Sequence, residues 1–176
     1  MEVVRCIDIP TTSVVGNATR EAVIEGLQKH RLAHFACRSH REKGKPSDTA
    51  LELDGGDRIA LLDIIQCRIP TTELAALSTG RTAELVDGTD FVEGLHLTAA
   101  MQYYGFRSVV RTMWDLGDVG GEDLFPNFYE EMLSRSAEDG TSSSERSARA
   151  LRYTIQKSRE TRAALQRWAN WIHYGA

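Results

Sequence analysis

Cysteine is scarce in this chain: three residues among 176, at Cys6, Cys37 and Cys67. A low, odd number does not build the disulfide framework of a secreted domain, so all three are read as reduced thiols. Long apolar runs are missing as well. No stretch approaches the 18 or more residues that span a bilayer. The opening decapeptide MEVVRCIDIP has no basic patch ahead of an apolar core, so it does not read as a signal peptide, and a cytoplasmic location is expected. There is no G-x-x-x-x-G-K-[ST] phosphate loop, no G-x-S-x-G elbow and no internal repeat. No cofactor is therefore expected. A hydrophobic share of 41% and a charged share of 26% are ordinary for a globular chain and exclude a disordered one. The length suits one domain.

Net charge is −4 and unevenly spread. Residues 145–167 hold seven Lys or Arg and two Glu, a +5 segment that leaves −9 for the rest. Such a globally acidic chain is a poor nucleic-acid binder by its bulk field. The basic stretch reads most simply as the solvated face of an amphipathic helix.

Apolar runs alternate with amphipathic ones. Asn17 is a candidate N-cap ahead of a helix over Ala18–His30. Leu32–Cys37 reads as a buried strand, followed by a polar loop over Arg38–Asp48. Ala50–Leu53 reads as a short strand and Leu61–Gln66 as a turn or helix. Glu73–Ser78 reads as a second core strand. Phe91–Tyr104 reads as a helix closed by Gly105 at its C-terminal end. Arg107–Met113, with two adjacent valines, reads as the third core strand. A Gly/Asp loop over Trp114–Gly121 precedes a helix over Glu122–Arg135. A long helix follows over Glu145–Trp168, and Trp171–Tyr174 reads as a closing strand. Helices between apolar strands imply an α/β layer fold with a largely parallel sheet, whose sites form at the C-terminal ends of strands. The loops after Cys37, Ser78 and Met113 are the ones in question.

At these strands the chain resembles the CHAT domain, a caspase- and separase-like clan CD cysteine peptidase module, in the form common in fungi. His34-Phe35-Ala36-Cys37 is similar to the segment that ends in the family's "ACHG". Asp63-Ile64 sits where the family has its "L..DI" segment. Glu73-Leu74-Ala75-Ala76-Leu77-Ser78 resembles the "ELAFLSACQTA" segment. Leu95-His96-Leu97, with Gly105-Phe106-Arg107-Ser108-Val109-Val110, resembles "HLAAGM…GYRSVI". Thr112-Met113-Trp114 with Asp118 resembles "TMWSI.D", and Trp168 with Ile172-His173-Tyr174-Gly175-Ala176 resembles the family's C-terminal end. The likeness runs in order over residues 18–176. It implies a caspase-like three-layer α/β/α sandwich with a largely parallel central sheet. Residues 1–17 are then a leader, read as the remnant of an upstream part of the fold, in a shortened module with a sheet edge left uncovered.

The resemblance also implies a Cys–His dyad, in which a thiolate attacks a carbonyl and an imidazole carries the proton. Here the sequence departs. Arg38 stands at the His position and Gly80 at the Cys position. Glycine carries no nucleophile, and an arginine stays protonated and cannot act as a base. Losing both members removes the thiol route as a unit.

Replacement groups are few. His40 lies two residues past the His position and reads as a solvated loop histidine. Cys37 reads as a buried core thiol, and Cys67, although next to Arg68, as another structural one. His34, Cys37 and His40 hint at a metal by spacing, but 34 and 37 fall on opposite faces of a strand and no fourth ligand is evident, so no metal is expected. His96 reads as a packing or capping residue. Asp115 and Asp118, after the third core strand, read first as turn formers. They are also the candidate acidic pocket that would hold a basic side chain of a protein or peptide partner. The expectation is a binding or regulatory module without peptidase activity. The alternative is a cysteine endopeptidase with a relocated Cys/His pair.

Overall fold

The computed structural model describes residues 3–7, 12–15, 19–40, 49–53, 56–67, 72–78, 80–81, 90–113, 124–134, 142–161 and 165–175. The core of the fold is three parallel strands, β3 (Leu32–Ala36), β7 (Leu74–Leu77) and β9 (Ser108–Thr112). Their register runs Leu32↔Leu74↔Ser108 and His34↔Ala76↔Val110. All are rich in Ala, Val and Leu, and nearly every residue is buried, as strands covered on both faces require. Antiparallel strands extend the sheet on either side: β1 (Val3–Ile7) and β2 (Thr12–Val15) beyond β3, and β10 (Trp171–Gly175) beyond β9. The full order is β10-β9-β7-β3-β1-β2. The sheet is thus parallel at its centre and antiparallel at both flanks. Val3–Ile7 and Thr12–Val15, which lie within the stretch 1–17 read from sequence as a leader, are strands of this sheet.

Strand alternation sends side chains to two separate cores. Ala33, Phe35, Ala75, Leu77 and Val109 face one side, with α1 (Arg20–Lys29), α2 (Leu61–Gln66) and α3 (Asp90–Tyr104) over them. Leu32, Leu74, Ala76 and Val110 face the other, under α4 (Leu124–Ser134) and α5 (Ser143–Glu160). The result is the three-layer α/β/α sandwich.

A second, small sheet grows directly out of the strand ends. Its order is β6 (Arg58–Ala60), β5 (Ala50–Glu52), β4 (Arg38–His40), β8 (Gly80–Arg81). Leu51, Leu53 and Ile59 tuck under it into the first core. The sequence expectation of a loop from Arg38 onward is corrected here: the chain turns at Cys37 and pairs again at once. Three short, polar residues carry little strand signal of their own. Their backbone pairing to β5 and β8 decides the conformation.

Two helix boundaries are also corrected. The cap of α1 is Thr19 rather than Asn17; its hydroxyl accepts from the Ala22 N–H at 3.3 Å. The expected long C-terminal helix ends at Glu160, with the Thr161 hydroxyl donating to the Ser158 carbonyl, and α6 (Leu165–Trp168) is separate. Leu165 is 64% exposed. The C-terminus of α3 is as read: Gly105 takes φ 131°, where a side chain would be strained. Asp63 ties α1 to α2, accepting from Arg20 Nε at 3.0 Å and Nη2 at 2.6 Å and capping α2 through the Ala60 N–H. These bonds, Arg20 foremost, hold its carboxyl below the usual range. Among the described residues no helix is long and apolar enough to cross a membrane.

Phe128 is fully buried at the centre of the second core, edge-on to Tyr129 and Phe125. Its truncation is expected to destabilise the fold by about 3–5 kcal/mol, read as a fall in urea midpoint without a change in m-value. A loss under about 1 kcal/mol would mean that α4 is not held on the sheet as described.

Candidate functional site

The C-terminal ends of β3 and β7 lie side by side, and the ladder continues one step past them through the Ser78 N–H, which donates to the Phe35 carbonyl at 3.0 Å. From there both chains enter the small sheet, where β4 and β8 run parallel. Arg38 is the register partner of Gly80, and Ser39 of Arg81. The two positions singled out by resemblance, far apart in sequence, are thus adjacent, about one strand spacing of 4.8 Å apart. Arg38 is exposed. Neither an imidazole nor a thiol stands at this pair.

The other sequence candidates are dispersed. Cys37 is 4% exposed and belongs to the first core, as read. Cys67 ends α2 and is half-buried; burial pushes its thiol up, the Asp63 carboxylate adds to that, and Arg20 opposes both only in part. A thiol held protonated in this way is a poor nucleophile. His40 is not on a loop: it sits in β4 opposite Ala50. Among the described residues no three His, Cys, Asp or Glu are grouped to hold a metal. The Asp115 and Asp118 positions and the His96 side chain lie outside what is described.

Two histidine–serine arrangements went unnoticed in the sequence. In the first, His34 Nε2 and the Ser78 hydroxyl are 2.9 Å apart. His34 is 7% exposed, and its ring leans on Phe125 at 4.0 Å between centroids, with Tyr129 at 5.9 Å. His34 pairs with Ala76, and Ser78 is two residues further along β7, so both project to the α4 side. The register of β3 on β7 is the only signal that would have found the pair.

The second lies at the opposite end of the sheet. His173 Nε2 is 2.6 Å from the Ser108 hydroxyl and 3.0 Å from that of Ser147; the two hydroxyls are 2.6 Å apart, and Ser147 donates to the Ser144 carbonyl at 2.7 Å. One arrangement gives every contact a hydrogen: Ser147 to Ser144, Ser108 to Ser147, and His173 Nε2–H to the hydroxyls. His173 is therefore a donor here, not a base. The cluster fastens β10 and α5 to β9. Ser108 and Ser147 are fully buried, and burial lowers the His173 pKa from its ordinary 6.5.

The CHAT domain family model matches residues 3–176, and the chain belongs to that family, a caspase-like, peptidase-related module. The match takes in β1 and β2. A comparison with curated proteins gives no match.

The lowered His173 pKa sets a sign for the pH dependence. Above 6.5 the ring is neutral whether folded or unfolded. As pH falls below that value the unfolded chain takes up a proton that the folded chain resists, so stability declines until the folded pKa is passed. Urea midpoints measured from about pH 8 to 5 should fall, and His173→Gln should remove part of that slope. An unchanged slope in the variant would show that His173 is not desolvated.

Proposed function

We propose that this chain is a CHAT domain without cysteine peptidase activity, a pseudo-peptidase that works in the cytoplasm as a binding or regulatory module. The observation that supports this reading is the pairing of Arg38 with Gly80 at the ends of β3 and β7. Arg38 and Gly80, which the resemblance aligns with the dyad, are register partners, and neither can do that chemistry. A guanidinium does not accept a proton near neutral pH. A glycine offers only backbone. The two thiols whose surroundings are described are one buried in the core and one held protonated.

What persists is the strand-end geometry that would receive an extended segment of a partner. The partner is a protein or peptide, presenting a basic side chain to Asp115 and Asp118. Binding without turnover needs no general acid or base. It needs only backbone pairing and a counter-charge for the guest cation.

The test is covalent capture read by intact mass. A thiol-reactive peptidyl ketone with a basic P1 residue is expected to give no fold-dependent adduct on the native chain. Arg38→His with Gly80→Cys is expected to gain one adduct, lost on unfolding, because the restored thiol and imidazole meet across β4 and β8. Should the native chain itself form an adduct that disappears in Cys37→Ser or Cys67→Ser, the relocated-thiol peptidase replaces this reading. A doubly substituted chain that folds but takes up neither ketone nor peptide removes the claim of a surviving pocket.

A further inference from the structure

We infer that Ser78 and His34 form a nucleophile–base pair for acyl esters at the edge of the substituted site. Three observations meet at this place. The first is the 2.9 Å contact between His34 Nε2 and the Ser78 hydroxyl, within the reach that proton transfer from a nucleophile requires. The second is position. Ser78 directly follows β7, at the C-terminal end of a central parallel strand, where α/β sheets place their sites. Its backbone is already anchored by the bond to the Phe35 carbonyl, and the hydroxyl is left with His34 as its one partner among the described residues. The third is contrast with the other histidine–serine cluster. Ser108 and Ser147 are fully buried, and Ser147 donates within the cluster to the Ser144 carbonyl, whereas Ser78 is half-buried.

The surroundings hold the imidazole in place. His34 packs against aromatic rings, Phe125 at 4.0 Å and Tyr129 at 5.9 Å between centroids. Such rings fix its orientation. In the acylation step the Ser78 proton passes to Nε2, the Ser78 oxygen bonds to the ester carbonyl carbon, and the alkoxide leaves with the proton that Nε2 returns. Water then gives a proton to Nε2, adds to the acyl group and releases the acid, restoring both side chains. Nothing is oxidised or reduced. Esters are the substrate class because an alkoxide departs with less help than an amine. The apolar rings beside His34 favour an apolar acyl group. The pair uses neither Arg38 nor Gly80, so it stands apart from the thiol question.

The 176-residue chain is incubated with an alkyl fluorophosphonate and read by intact mass, native and urea-unfolded. One adduct is expected on the native chain, mapping to Ser78, absent from Ser78→Ala and formed roughly a hundredfold more slowly in His34→Gln, the scale of a lost general base. Ser78→Cys, which conserves size, guards against a variant that fails to fold. Its new thiol should alkylate faster in the folded chain than in urea, and His34→Gln should abolish that advantage. The tautomer of His34, read from its ring nitrogen shifts, should place the proton on Nδ1. A folded chain that takes no adduct, an adduct that survives Ser78→Ala, or a proton on Nε2 would each overturn the inference and leave the pair a structural tie between β3 and β7.

Discussion

Everything at the candidate site depends on the parallel pairing of β3 with β7. The four register pairs from Leu32↔Leu74 to Phe35↔Leu77 are made by buried residues, with His34 the one polar member, so a slip of one residue would turn over the faces of β3 against β7. That exchange would drive His34 into the first core and Phe35 out of it. The register is therefore steeply specified, and whatever follows each strand inherits it. Cys37 and Ser78 mark the exits, and Arg38, one residue beyond the first, pairs with Gly80, two residues beyond the second.

This arrangement separates fold from chemistry. The pairing needs backbone groups and two filled cores. It does not depend on which residues stand at 38 and 80, which belong to the strands of the small sheet. A chain can therefore keep the architecture of the CHAT family while carrying an arginine and a glycine there. The same separation explains the two histidine clusters. His173 acts as a hydrogen donor among buried hydroxyls and fastens α5 and β10 to β9. His34 sits at the opposite end of the sheet, against aromatic rings, with the half-buried Ser78 as its partner. Equal residue types stand in unequal settings because one cluster is closed inside the core and the other lies at a strand end.

Much of the main sheet was legible. The runs LAHFA, LAAL and SVVRT are apolar or β-branched over their whole length, and the amphipathic stretches between them read as helices. The breaks came where local composition is weak. Arg38–His40 and Gly80–Arg81 are too short and polar to announce strands, and only their neighbours make them so. The end of α5 was missed because the helical propensity of residues 161–167 says nothing about whether a core lies beneath them. Thr19 displaced Asn17 as a cap because the helix start is set by where Val23 and Leu27 must be buried.

The sequence by itself determined the layer class, the buried strands and the absence of a thiol and an imidazole at positions 38 and 80, since these follow from residue type and periodicity alone. Tertiary structure decided which residues meet. Arg38 reaches Gly80, His34 reaches Ser78, and His173 reaches Ser108 and Ser147 through strand register and helix docking. Those are sums over many buried contacts between segments distant in the chain, and no local stretch of sequence carries them.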